Sequence, residues 1–285
     1  MSRIVIPLDG SELAESAIAW SAPVARALGD SVHLVAVHPL DEELWEFAGI
    51  DASAPLARVR ESLSQYLDEV ARREDLAGLE VTHQVAAGEV VPKIHEAASD
   101  AGTRLVALTT RGRGGMREEG GAGSVSMRLI RMLAAPLLVV PPRGIAPGIR
   151  GMLAALDGSD DAARSLPLAR DLRSALGVPL HLVEVVNVDQ GWGLLEAEHA
   201  ALTGARVRRA REELAATAQE GEVTSVEQGP VLDGLLDYAR DHDLQLIVMA
   251  THGRSGRARL DLGSTADAMV RASDRPLLLT PIREQ

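Results

Sequence analysis

Residues 4–20 read IVIPLDGSELAESAIAW, and residues 152–168 read MLAALDGSDDAARSLPL. Both are short apolar runs that end in Asp-Gly-Ser, at Asp9 and at Asp157, and both continue into an alanine-rich amphipathic stretch. An apolar run closed by a turn and followed by helical periodicity is a buried strand feeding a helix. Asp-Gly makes the turn, and the serine is placed to cap the helix that follows. Further correspondences run down the chain, with Gly88 matching Gly229 and APLLVVPP from Ala135 matching RPLLLTPI from Arg275. The chain is one unit written twice. The two copies are separated by PPRGIAPGIRG, residues 141–151, where proline and glycine cluster between strands. The expected domains are 1–144 and 149–285.

Each copy alternates β-branched runs with longer amphipathic ones. In the second, strands are expected near 150–156, 179–186, 222–228, 244–250 and 276–281. Helices are expected near 159–176, 196–219, 230–242 and 264–273. Such alternation implies right-handed crossovers and a parallel sheet with helices on both faces, an α/β domain in each half. Ligands of such sheets settle beyond the carboxyl ends of the strands, where strand order reverses. Periodicity alone leaves the strand order open.

Composition agrees. With one Phe, two Tyr and three Trp in 285 residues, the core has to be built from Val, Leu, Ile and Ala, which suits buried parallel strands. The absence of cysteine excludes disulfides, thiolate metal sites and a cysteine nucleophile. A formal net charge of −12 argues against general nucleic-acid binding. No signal-peptide pattern and no membrane-length apolar run is seen, so a cytoplasmic protein without membrane contact is expected.

The chemistry concentrates in two glycine-rich loops. The second copy has MATHGRSGRARLDLGS, Met249 to Ser264, in which nine residues separate Gly253 from Gly263 and a helix opens at Ser264. A helix amino terminus presents unpaired N–H groups and the positive end of the macrodipole to an anion. Gly253 and Gly263 allow close backbone approach, and His252, Arg254, Arg257 and Arg259 are possible donors. STAD, Ser264 to Asp267, also has capping-box spacing. A plain helix cap on a flexible connection fits the same residues, and neither a Walker loop nor a G-x-G-x-x-G fingerprint occurs in the chain.

The order strand, Asp-Gly-Ser, helix, then LIVMATHGRSG…LGS, then RPLLLTP, resembles the universal stress protein family in a tandem two-domain form. The resemblance spans nearly the whole chain, twice. It implies two Rossmann-like domains of the adenine nucleotide α-hydrolase type, each a five-stranded parallel sheet of order 3-2-1-4-5 between helices. It also implies binding of ATP, with Mg²⁺, by a sensor or regulator of stress. The ATP-binding signature is G-x-x-G, nine residues, then G-[ST]. Gly253, Gly263 and Ser264 match it, and Ala250 replaces the first glycine. The implied nucleotide residues are Asp157 and the Val185 backbone at the adenosine end. Ala250, His252, Gly253, Arg254, Gly263, Ser264 and Thr265 are implied around the phosphates.

The first copy departs further, with Thr109 for the first glycine, Arg111 for histidine and ten residues between Gly112 and Gly123. Glu118 and Glu119 lie inside its loop. Like charges about 4 Å apart repel by about 1 kcal/mol in water and about 4 kcal/mol at a surface-like dielectric. The corresponding site, Asp9, Val37, Arg111, Gly112, Gly123 and Ser124, is therefore expected to be weaker or empty.

Nothing else forms a catalytic or metal constellation: HEAAS at His95 lacks the second histidine of a zinc helix. His33 and His181, at matching strand positions, are expected to be structural. RVRRAREEL, Arg206 to Leu214, is expected to be a solvated helix face with an Arg208–Glu212 pair. Trp45 and Trp192 follow the second strand of each copy and either flank the crevice or fill a gap. The family pairs last strands across a dimer, so PLLVVPP and PLLLTPI are expected to pair within the chain as a pseudo-dimer, with a homodimer also open. A nucleotide-free interaction scaffold and a slow ATP hydrolase stay as alternatives.

Overall fold

A computed structural model of the chain describes residues 2–39, 51, 53–110, 123–187, 196–251 and 262–282. These divide into two compact units, with the division between Pro142 and Arg143. The first unit runs β1 (Arg3–Leu8), α1 (Glu12–Leu28), β2 (Ser31–His38), α2 (Ser53–Ala71), a 3₁₀ turn (Glu74–Leu76), β3 (Val81–Ala87), α3 (Val90–Ala98), β4 (Thr103–Thr109), α4 (Ser124–Met132) and β5 (Leu137–Val140). The second runs β6 (Met152–Leu156), α5 (Asp160–Ala163), α6 (Leu166–Leu176), β7 (Leu180–Val186), α7 (Glu196–Thr217), β8 (Val223–Gln228), α8 (Val231–Asp241), β9 (Leu246–Ala250), α9 (Ser264–Ala272) and β10 (Leu277–Thr280).

Within the first unit the parallel strands lie in the order β3-β2-β1-β4-β5. Within the second the order is β8-β7-β6-β9-β10, the same topology. The inner strands are apolar because both their faces are covered. Ile4, Ile6, Leu34 and Leu105 are essentially buried in one unit, and Met152, Leu153, Leu182 and Ile247 in the other. Each such side chain contributes about 1.5–3 kcal/mol by leaving water. Strands β3 and β8, each paired on one side within its unit, carry the more polar patterns VTHQVAA and VTSVEQ.

Right-handed crossovers put the helices after β6 and β7 on one face of the second sheet and those after β8 and β9 on the other. Val186 accordingly packs with Val207 and Ala210 of α7. Val185, one residue earlier and on the opposite face, lies against Gly234 of α8, where an added Cβ would stand 2.9 Å from its Cγ1. The chain moves outward from β6 to β7 to β8 and then returns to β9, so the connections at the carboxyl ends of β6 and β9 diverge and leave a crevice.

The helix expected over 159–176 is two helices, broken at Arg164 and Ser165. Pro167 has no N–H and its ring crowds the carbonyl four residues back. Both the N–H and the hydroxyl of Ser165 donate to the Ala162 carbonyl, at 3.1 and 2.7 Å, which tightens the turn at the break. Helices α1 and α6 then end alike. Gly29 and Gly177, at φ +67° and +66°, supply the left-handed residue that closes a helix without a Cβ penalty.

Candidate functional site

The Asp-Gly-Ser turns build themselves from local hydrogen bonds. Asp157 Oδ1 accepts from the Ser159 N–H at 3.0 Å and from the Ser159 hydroxyl at 2.5 Å. Ser159 Oγ in turn accepts from the Ala162 N–H at 3.1 Å and caps α5. In the first unit Asp9 and Ser11 repeat the arrangement at 3.0 and 2.5 Å, with Ser11 capping α1. One carboxylate oxygen of each aspartate is thus spent on holding the turn that brings the chain over the strand end.

The second loop leaves the sheet at Thr251, whose N–H donates to the Thr280 carbonyl at 3.0 Å. The chain returns at Gly263, whose N–H donates to the Thr251 carbonyl at 2.8 Å, and α9 starts at the next residue. The capping box expected at Ser264–Asp267 does not form. Gly263 is the N-cap, so Ser264 already lies inside the first turn and no side chain caps the helix. Asp267 instead accepts from the Arg271 guanidinium at 2.8 and 3.2 Å. The first helical bond closes from the Asp267 N–H to the Gly263 carbonyl at 2.8 Å. The N–H groups of Ser264, Thr265 and Ala266 therefore precede the hydrogen-bonded ladder and form the positive end of α9.

These strand ends open into a cavity of about 550 Å³ in the second unit. Asp157, Val185, Ala250, Gly263, Ser264 and Thr265 all line it. Ligand pockets of small molecules fall in this size range. His252, Gly253 and Arg254 lie outside the described residues, as do Arg111, Gly112, Trp45 and Trp192.

The same cavity is lined by residues not assigned to a site from the sequence. Val231 and Leu235 of α8 make an apolar side, while Glu184 of β7, Asn187 just after it, and Arg206 and Arg209 of α7 are polar. The stretch RVRRAREEL is therefore only in part a solvated face. Val207, Ala210 and Leu214 turn into the core, and this phase carries Arg206, Arg209 and Glu213 to the cavity. The ion pair formed is Arg209–Glu213 at 2.6 Å, in place of the expected Arg208–Glu212 pair. The Arg209 guanidinium is held above its ordinary pKa, first by the hydrogen bond and charge of Glu213 and further by the charge of Glu184. Glu184 itself is only 6% exposed. The signal for it was present in LHLVEVV, where a lone carboxylate interrupts a strand that is otherwise buried.

In the first unit the same frame is in place. Thr110 donates to the Val140 carbonyl at 3.0 Å, Gly123 donates to the Thr110 carbonyl at 2.6 Å, and α4 starts at Ser124 with Gly123 as its N-cap. Asp9 and Val37 stand at the ends of β1 and β2. The groove beside Asp9 is lined by Gly10 and by α2 residues such as Arg58, Ser62 and Tyr66. His33 and His181 lie in the amino-terminal halves of their strands, away from these ends. They contact the Thr82 hydroxyl at 2.8 Å and the Tyr238 hydroxyl at 3.0 Å, which is a structural role.

With this geometry established, comparison with known proteins gives a single answer. The universal stress protein family model matches residues 1–141 and again 148–281. Universal stress protein Rv1996 of Mycobacterium tuberculosis is 26% identical over 98% of this chain and 95% of its own length. Universal stress protein Slr1230 of Synechocystis is 24% identical over 98% of this chain and 99% of its own. Among solved structures, a universal stress protein from Archaeoglobus fulgidus superposes with a TM-score of 0.74 at 20% identity, covering 98% of both chains, a likeness of fold.

Proposed function

The chain belongs to the universal stress protein family, and from that premise we propose that its second unit binds ATP or a related adenine nucleotide, with Mg²⁺. The observation that carries the proposal is the convergence of Asp157, Val185, Ala250, Gly263, Ser264 and Thr265 on one cavity, from three strand ends and one helix start. The residues fit such a ligand in character. The start of α9 offers three N–H donors and a favourable dipole to a phosphate, and the hydroxyls of Ser264 and Thr265 add neutral oxygens beside it. The β7 end, with Val231 and Leu235, offers an apolar slot for a base. Mg²⁺, when bound with the nucleotide, supplies charge neutralisation of the phosphates. We further propose that nucleotide occupancy serves a cytoplasmic stress sensor or regulator.

Titration of the full chain with MgATP by calorimetry tests this reading. A saturable heat at submillimolar nucleotide is expected, and no binding at millimolar MgATP overturns it. A phosphate-release assay on the same sample then separates a binder from a slow hydrolase.

A further inference from the structure

Glu184 is the one acidic side chain of β7. It lines the cavity and is 6% exposed. The parallel register places it beside Leu156, one residue before Asp157. In the first unit the residue beside Leu8, one before Asp9, is Ala36. The two copies therefore differ at this point by a buried carboxylate against a methyl group. An ionised carboxylate can only accept hydrogen bonds, and its two oxygens together take several donors, so a partner within the protein leaves it able to accept one from a ligand.

Its position in the sheet says which part of a ligand it faces. Strand β7 is separated from β9, the strand that leads to α9, by β6. Two strand spacings put Glu184 about 10 Å across the sheet from the helix start that suits an anion. Phosphates at the α9 end are therefore kept away from the carboxylate. What reaches β7 is the uncharged end of the ligand, lying between Val231 and Leu235 on one side and α7 on the other. Arg209, whose own charge is favoured by Glu184, keeps positive charge near that carboxylate.

We propose that Glu184 is a specificity-determining residue of this cavity, accepting a hydrogen bond from an N–H or O–H donor on the nucleoside half of the ligand. The inference rests on the nucleotide reading above. Two groups of adenosine carry that chemistry, the 6-amino group of the base and the hydroxyls of the ribose. A charge-assisted bond to either discriminates strongly against an analogue that lacks it.

The experiment is a calorimetric comparison on the full chain. MgATP is set against the magnesium salts of purine riboside triphosphate, which lacks the 6-amino group, and of 2′-deoxy-ATP and 3′-deoxy-ATP, each lacking one hydroxyl. The set is repeated with Glu184→Gln and Glu184→Ala. The wild-type chain is expected to bind one of the three analogues about tenfold more weakly than ATP, as for loss of a hydrogen bond to a charged group. That analogue identifies the donor; Glu184→Ala is expected to bind it and ATP within about twofold of each other, and Glu184→Gln, whose amide oxygen still accepts but carries no charge, to show a smaller ratio than the wild-type chain. Because each ratio is taken within one protein, a partly unfolded variant leaves it unchanged, and Glu184→Gln preserves side-chain volume. Variants that keep the wild-type ratios overturn the assignment of Glu184 while leaving nucleotide binding intact. Equal wild-type affinity for all four ligands does the same. Absence of MgATP binding by the wild-type chain overturns the nucleotide reading and the role of Glu184 with it.

Discussion

Ser264 allows the proposed phosphate end of the site to be tested apart from the stability of the fold. It is exposed, it is the first residue of α9, and Gly263 rather than Ser264 occupies the cap. Ser264→Asp therefore removes no capping bond, and it places a negative charge on the first turn of a helix. That charge stabilises the helix by about 0.3–1 kcal/mol through the macrodipole. For a bound phosphate the same charge is repulsive. Taking about 5 Å between the carboxylate and the nearest phosphate oxygen, the repulsion is about 0.8 kcal/mol at the dielectric of water and about 3 kcal/mol at a surface-like effective dielectric of about 20. The dissociation constant for MgATP should rise by a factor between about 4 and about 150. Adenosine, which has no phosphate, should bind as to the wild-type chain, and added salt should narrow the difference for ATP. The assay is calorimetry with both ligands at two salt concentrations, together with a thermal melt. The twin change Ser124→Asp, at the first residue of α4, is expected to leave MgATP affinity alone, because the site proposed for the nucleotide lies in the second unit. The reasoning is refuted if Ser264→Asp binds MgATP as tightly as wild type, or if adenosine affinity falls in parallel.

Three further outcomes follow from the packing. Gly234→Val puts a branched side chain where even a Cβ stands 2.9 and 3.1 Å from the methyls of Val185; overpacking of this kind should cost about 1–3 kcal/mol in a denaturant melt and weaken nucleotide binding by shifting β7. Glu222, whose side chain is fully buried against Arg170 at 2.8 Å, has its ionisation opposed by burial, but the bonds from Arg170 and the Gln219 N–H and the nearby arginine charges outweigh this and hold its pKa below 4.5. The stability it confers is thus complete above pH 4.5 and is lost as pH falls through the lowered value. Glu222→Ala should cost about 3 kcal/mol at neutral pH and flatten that acid limb. His33 and His181 both have their pKa lowered from 6.5, foremost by burial, with the charges of Arg3 and His242 respectively adding to it. Each contributes stability above pH 6.5 that is lost as pH falls through its folded value. The melting temperature should therefore decline on acidification below neutrality, and the double change to glutamine should remove part of that slope.

How much of the site was legible depended on whether its parts are local in the chain. The Asp-Gly-Ser turns at Asp9 and Asp157, with their caps, are complete within six residues, so residue type and spacing were sufficient. The break at Ser165 escaped the periodicity, because the apolar stripe continues through Pro167 while the backbone ladder does not. The N-cap lies one residue before Ser264, at Gly263, and no capping box forms, since the bond from Gly263 to the Thr251 carbonyl, which positions the start of α9, joins residues on either side of the loop. The loop residues His252, Gly253 and Arg254 stay an expectation from the family motif.

The repeat, the strand–helix alternation, the Val- and Leu-rich core and the resemblance to universal stress proteins were all determined by the sequence alone. These properties are carried by neighbours along the chain. Which side chains share the cavity was decided only by tertiary structure. Register sets Glu184 beside Leu156, crossover handedness sets α7 over one face of β7, and the burial of Val207, Ala210 and Leu214 fixes the rotation that brings Arg206 and Arg209 to the cavity. A charged helix stripe reads the same in sequence whether it faces solvent or a ligand site. Only the packing of the opposite stripe chooses between them.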